Sequence, residues 1–404
     1  MNSSVQQIPI QRSGPSGPLS GVCVLDLSAY IAGPFGCTIL ADQGADVIKI
    51  EPPNGDNLRN YPSTLEAESR AFIGLNRSKR GLVLDLKASE GLSALLRLVR
   101  KADVLVHNFR PGVPKRLGID YESLQLINPQ LIYCSVTGFG ETGPMKDKAG
   151  YDQVLQTMTG MCTMQGHRSG MPEILYGSVV DYYAAALVAS GVSSALFERE
   201  RSGLGQKVGV SLLRSALTMQ SARLVWAEGE PRDIGRDFRS GGISGLHPTL
   251  DGYVYISANT VHFWEALCDK VGLPELAKSE RYDTVRKRAE HVDEILPKLH
   301  DALRAHTAIE WEDIFGDEVP SAAARPIEDI FSNEQVLAEE MVADFEHAKV
   351  GHYRGQAQSV KFSRTPGPTS FSAPSFGQHS DEILGDAGCT EKERQELRDK
   401  GVIQ

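Results

Sequence analysis

The sequence predicts an α/β protein, with a Rossmann-like large domain built on a mostly parallel sheet and a smaller α+β domain. Three observations carry this. Short continuous apolar runs alternate with helix-periodic stretches through the first half of the chain, the pattern of strands covered on both faces. A turn holding Gly33, Pro34 and Gly36 follows the first run and opens a βαβ unit. Over Gly229–Pro248 the composition shifts to Gly, Arg and Asp, as a linker does, and a second set of elements follows.

Taken in order, residues 1–20 are polar, hold several Gly and Pro, and read as a flexible tail. Val22–Leu27 is a buried strand. Ala32–Gly36 breaks the chain, Pro34 starts a helix over Thr38–Gln43, and Gly44 ends it. Ala45–Ile50, Gly81–Leu86, Ala102–His107 and Leu131–Val136 are further strands, with helices over Ser89–Lys101 and Asp120–Ile127 between them. A long apolar helix runs from Tyr182 to about Glu200, a turn from Gly203 leads into a short strand ending at Ser211, and Leu212–Glu228 is helical. Beyond the linker, Gly252–Ser257 is a strand and His262–Val271 and Val292–Ala305 are helices. Residues 345–378 are strand and turn.

Size and charge narrow the function. A chain of 404 residues holds two or three domains. A net charge of −10 argues against nucleic-acid and membrane surfaces as partners. The six cysteines are scattered, with no CxxC pair and no zinc-like spacing, which fits reduced thiols in a cytoplasmic protein without a metal site. No secretory signal opens the sequence. Ala184–Phe197 is too short and too interrupted by Ser and Gly to span a bilayer.

Several motifs are missing: no GxGxxG, no GxxxxGK[ST] and no GxSxG occurs where nicotinamide, P-loop or serine-hydrolase chemistry needs it. Two acids stand out instead. Asp152 and Asp181 each head an apolar helical run, where Asp is a preferred cap. The same position holds a carboxylate in a fixed place, as a nucleophile toward an acyl carbon requires, and a second acid beside it modulates its protonation. The basic residues Arg77, Lys79, Arg80, Lys87, Arg110 and Arg116 flank strand ends, where α/β proteins bind anions. Each is equally well a solvated surface group. Arg239–Gly245, rich in Gly, is a linker or a lid over a reactive intermediate.

From Gly21 to Leu384 the chain resembles the class III CoA-transferases (CaiB/BaiF, formyl-CoA transferase type), a family related to the α-methylacyl-CoA racemases. The matching pieces come in the family's order: Leu25-Asp-Leu with Ala32-Gly-Pro-Phe; Gly44-Ala-Asp-Val-Ile-Lys-Ile-Glu51 with Asp56 and Arg59; Asn76-Arg-Ser-Lys-Arg; Leu84-Asp-Leu-Lys87; Asn108-Phe-Arg-Pro-Gly112 with Arg116; Thr137-Gly-Phe-Gly140 and Thr142-Gly-Pro144; Gly150-Tyr-Asp152; Gly205-Gln-Lys-Val; and Gly377-Gln-His-Ser-Asp-Glu-Ile-Leu384. The resemblance implies a CoA-binding domain made of 21–225 and the returning segment 336–404, with a linker and small domain over 226–335, in an interlocked homodimer. It implies Asp181 as nucleophile, Asp152 as supporting acid, and CoA contacts at Ala32, Leu84, Lys87, Asn108, Phe109, Arg110 and Arg116. It places a glycine lid at Gly241, Gly242 and Gly245. The implied substrates are a coenzyme A thioester and a small carboxylic acid, with no permanently bound cofactor. The chain is most similar to the branch that uses succinyl-CoA and small dicarboxylates (itaconate, glutarate, mesaconate or malate), whose second carboxylate calls for a group such as Arg223, Arg236, Arg239 or His247. Backbone amides beside Asp181 are expected to hold the tetrahedral oxyanions. Racemases carry His before the second acid. Here Tyr151 stands there, and a phenol with a pKa near ~10 is a poor base at neutral pH. An acyl-CoA isomerase and a non-catalytic acyl-CoA-binding relative are the alternatives.

Overall fold

The computed structural model, which describes residues 16–166, 170–230 and 243–404, turns six of the apolar runs into one sheet. Its strands are β1 (Cys23–Asp26), β2 (Asp46–Glu51), β3 (Lys79–Val83), β4 (Val104–His107), β5 (Ile132–Thr137) and β6 (Lys207–Ser211). They lie in the order β3-β2-β1-β4-β5-β6, and every pair is parallel. That is a Rossmann-like order. The chain reverses direction across the sheet between β1 and β4, which opens a crevice at the carboxyl ends of those two strands.

Alternation along each strand feeds two cores. On one face Val24, Val104, Val106, Ile132 and Cys134 pack with the helices Ala32–Asp42 and Val179–Ser202. On the other, Leu25, Leu105 and Tyr133 pack with the helix Ser89–Val99 and with Ile383, Leu384, Leu397 and Ile403 near the C-terminus. The same segment finishes the β3 edge: the Gly81 and His379 backbones are joined by His379 N–H to Gly81 O at 2.9 Å, and Ser78 N–H donates to Phe371 O at 2.8 Å.

Three helices differ from expectation. The first begins at Ala32, so Gly33, Pro34 and Gly36 lie inside it and do not break it. Pro34 sits in the first turn, where backbone N–H groups have no intrahelical partner to lose. Gly36 is required by packing: a Cβ there would lie 2.8 Å from the Val188 side chain and 3.1 Å from Ala185 O. The long helix starts at Val179, before Tyr182. Among the described residues it is the helix long and apolar enough to cross a membrane by length and composition, and it buries Val180, Ala184, Val188 and Val192 in the sheet's core. The helix from Leu212 closes at Thr218 rather than Glu228. The turns that follow are fastened by Gln220, whose side-chain amide donates to Thr159 O and Ala216 O.

Two compact units result, one of Met1–Leu224 with Glu334–Gln404, the other of Val225–Asn333. The second is α+β: antiparallel strands Gly245–Pro248, Tyr253–Ile256 and Ser321–Ala323 carry helices whose Trp264, Leu267, Leu299, Trp311 and Phe315 form its core.

Candidate active site

The first unit holds a cleft of about 410 Å³ at the crevice where the strand order reverses. Its walls come from the loops after the carboxyl ends of successive strands. Tyr30, Ile31 and Ala32 follow β1. Asn108, Phe109 and Arg110 follow β4. Thr137 and Gly138 close β5. Lys146, Lys148, Gly150, Tyr151 and Asp152 come from the next loop, and Asp181 from the first turn of the long helix. The loops meet closely. A Cβ on Gly138 would stand 2.7 Å from the Gly150 Cα, so only Gly at both positions lets the Tyr151-Asp152 segment seat against β5.

Neither acid caps its own helix, contrary to the simplest reading of each. Asp152 is the first residue of its helix (Asp152–Met158), and Asp181 is the third of its own. Asp152 is 1% exposed, and one of its oxygens accepts from Val180 N–H at 2.6 Å and Asp181 N–H at 3.0 Å. Its other oxygen accepts from the buried Gln156 amide at 2.5 Å. Asp152 thus caps the Asp181 helix from outside it, and ties down the turn that presents Asp181. The consequence for catalysis is specific: the Val180 and Asp181 N–H groups are already engaged, so the expected oxyanion donors beside Asp181 are not free.

Asp181 is half-buried at the cleft floor and has no hydrogen-bond donor to its carboxylate among the described residues. Burial first, and the Asp152 charge second, push its pKa up to about 7. A carboxylate so poised is far more nucleophilic than one stabilised by ion pairs, and it is ionised for part of the time at neutral pH.

A buried ionic network under the β1 loop holds that wall in place. Lys79 Nζ donates to Asp26 at 2.8 Å, and also to Pro34 O and Asn76. Lys49 Nζ donates to Ser28 O at 2.5 Å and to Asp56 at 2.8 Å. Arg59 grips Glu51 through two bonds of 2.7 Å and Glu68 through one of 2.6 Å, over the Phe72 ring. Arg77 pairs with Asp42 at 2.5 Å, and Arg80 with Asp46. The basic cluster that resembled an anion site is therefore structural at Arg77, Lys79 and Arg80.

The sequence-derived residues divide accordingly. Ala32, Asn108, Phe109, Arg110, Tyr151, Asp152 and Asp181 line one cleft. Leu84 is buried in the core just past β3, and Lys87 and Arg116 are exposed at the same carboxyl edge of the sheet, outside the cleft lining. Asn108 spends its side-chain amide on the β1 loop, accepting from Ala29 N–H at 2.9 Å and donating to Ala29 O at 2.7 Å. Arg223 does not line the cleft. His247 is 1% exposed within the smaller unit, against Ile243 O and His300. Gly245 opens a strand of that unit. Arg236, Arg239, Gly241 and Gly242 lie outside the described residues. Sequence reasoning missed Tyr30, Tyr61, Lys146 and Lys148. The two lysines had a readable signal, being the cations of the loop that leads directly into Gly150-Tyr-Asp.

The sheet order, the cleft at its reversal point and the acids on its floor define a doubly wound α/β enzyme. Residues 19–380 match the family described as CoA-transferase family III. The chain is 40% identical over 305 residues to the acetyl-CoA:oxalate CoA-transferase of Acetobacter aceti, covering 74% of this chain and 78% of that one. It is 33% identical over 387 residues to the succinate–glutarate CoA-transferase of Agrobacterium fabrum, covering 93% and 97%. A solved CaiB/BaiF family protein from Brucella suis shares the fold with a TM-score of 0.81 at 30% identity, over 92% of this chain and 100% of that one. The chain belongs to CoA-transferase family III, as its motifs indicated; it is an enzyme of that class, and CoA thioesters are its substrates.

Proposed function

We propose that this enzyme moves CoA from an acyl-CoA donor, succinyl-CoA foremost, to a small dicarboxylic acid of the itaconate, glutarate, mesaconate or malate type through a thioester on Asp181. The observation that carries the reading is Asp181 itself: a half-buried acid with a pKa of about 7, on a turn fixed by Asp152, in a cleft bearing Arg110, Lys146 and Lys148. An Asp181 oxygen attacks the donor's thioester carbonyl, releasing CoA thiolate and leaving a mixed anhydride. The thiolate attacks the aspartyl carbonyl, releasing the donor acid and leaving aspartyl-CoA. The acceptor carboxylate then displaces the thiolate from that thioester, and the thiolate attacks the acceptor's carbonyl, restoring the Asp181 carboxylate. Charge is conserved at each exchange, so no metal or redox cofactor is required. Arg110, Lys146 and Lys148 carry the CoA phosphates, with Lys87 and Arg116 on the same edge extending that track. Names of relatives that act on glutarate, citramalate and malate with succinyl-CoA support the substrate class.

The same reading makes 21–225 with 336–404 the CoA-binding domain and 226–335 an inserted small domain, in a cytoplasmic, interlocked homodimer. The division into two compact units supports the first part, and the exposed apolar side chains Met171, Ile174, Tyr176 and Leu224 support the second. Light scattering on the purified protein tests it, a monomer mass being the contrary result. The chemistry is tested by incubation with succinyl-CoA and hydroxylamine, followed by peptide mapping. The adduct is expected on Asp181 and absent from Asp181→Ala. Exchange of the substrate's α-hydrogen with solvent, without an acceptor acid, would instead support an isomerase.

A further inference from the structure

The cleft is lined by two chemically distinct kinds of side chain. Arg110, Lys146 and Lys148 supply positive charge, while Tyr30, Tyr61 and Tyr151 supply neutral phenols. Tyr30 is the unusual member. Its φ of +66° is left-handed, a region that a bulky L-residue enters only when its surroundings force it. They do so through the backbone groups from Ser28 to the Tyr30 N–H. Ser28 N–H donates to Asp26 and Ser28 O accepts from buried Lys49. Asn108 clamps both polar groups of Ala29, and Tyr30 N–H donates to Asp56 at 3.3 Å. Asp56 is itself held by Lys49 at 2.8 Å. A strained backbone locked by a buried network is preorganisation, and what it aims is the Tyr30 ring.

The phenol is prepared as a donor. The Asn57 amide donates to Tyr30 Oη at 2.8 Å, which occupies a lone pair and leaves the hydroxyl hydrogen to point elsewhere. The ring meets Tyr151 edge-to-face at 6.0 Å, so the two phenols share one patch of the wall. Burial first, then the Tyr151 phenol through its charge and a side-chain hydrogen bond, hold the Tyr30 pKa above that of an ordinary tyrosine, so the Tyr30 proton stays in place and is shared with Tyr151 until a substrate carboxylate takes it.

We propose that Tyr30, paired with Tyr151, is the specificity residue that donates a hydrogen bond to the spectator carboxylate of a dicarboxylic substrate. This deepens the proposed function and rests on Asp181 being the acyl carrier. It also accounts for a site that reads a second carboxylate without an arginine among its described lining residues other than Arg110. A neutral donor binds the spectator group without forming a competing ion pair with Asp181, whereas a guanidinium there would bind either carboxylate.

The test uses the whole enzyme and acceptor pairs that differ only in the second carboxylate, such as glutarate against pentanoate, with butyryl-CoA as donor. Tyr30→Phe keeps the ring and removes the donor. Losing a hydrogen bond to a charged group predicts a fall of roughly ten- to a hundredfold in kcat/KM for the diacid, with the monoacid little changed. Trapping of the Asp181 adduct from butyryl-CoA should proceed at the wild-type rate. Asn57→Ala, which frees the Tyr30 hydroxyl to reorient, should give a smaller loss of the same kind. The proposal is overturned if wild type shows no preference for the diacid, if Tyr30→Phe keeps that preference, or if it lowers both acceptors equally. Failure of the underlying reading looks different: no adduct forms on Asp181 in wild type.

Discussion

Asp152 and Asp181 stand twenty-nine positions apart, and pattern alone gives each the same role as a helix cap. The structure separates them by their partners. Asp152 is satisfied by two backbone N–H groups and the Gln156 amide, while Asp181 faces the cleft with a pKa of about 7. No spacing rule reveals such a pairing, because it depends on two loops meeting across the end of the sheet. A nucleophilic carboxylate must be ionised, so kcat/KM should rise with pH through about 7 and then level off. Asp152→Asn keeps an acceptor for both N–H groups and removes the charge, so the profile should move to lower pH. An unmoved profile would assign the titration to another group. Stability should vary in the opposite sense. The folded protein holds the Asp181 proton up to about pH 7 and the unfolded chain only to about 4, so this residue's cost appears as pH rises between those values. Asp181→Asn should therefore be more stable than wild type at pH 8 by roughly 2–4 kcal/mol, and equal to it below pH 4, as urea unfolding would show.

At the scale of elements, strands were the most legible feature. All six runs of the large sheet became strands within about three residues, because strands buried on both faces carry a strong apolar signal. Helix boundaries were less so. Gly33-Pro34 read as a break, yet a first-turn proline costs the helix nothing. Gly36 had no readable purpose until Val188 was found against it. Its substitution measures that approach: Gly36→Ala places a methyl 2.8 Å from the Val188 side chain. Overpacking of this kind predicts a loss of about 1–3 kcal/mol, read as a lower urea midpoint at constant m. Gly36→Ala paired with Val188→Ala should recover much of it. A stable Gly36→Ala protein would mean that the two helices are not packed as closely as described. The cations were legible only in part. Arg77 precedes β3 and Lys79 and Arg80 open it, but their acid partners, the buried Asp42 and Asp26 and the half-buried Asp46, come from other elements.

For the whole molecule, alternating strands and helices implied a parallel sheet, but the order β3-β2-β1-β4-β5-β6 and its reversal point are properties of the assembled chain. That reversal explains why motifs scattered from Ala32 to Asp181 converge on one cleft. Of the residues expected to read a second carboxylate, His247 is buried in the smaller unit, Arg223 does not line the cleft, and Arg236 and Arg239 lie outside the described residues. In the proposed cycle the acceptor's carboxylate and Asp181 exchange an oxygen atom through a mixed anhydride. Turnover with succinyl-CoA and an acid labelled with oxygen-18 in its carboxylates tests this directly, read by mass spectrometry of the peptide containing Asp181. Heavy oxygen is expected in the Asp181 carboxylate after turnover and none in Asp152. Complete turnover that leaves Asp181 unlabelled would contradict that cycle.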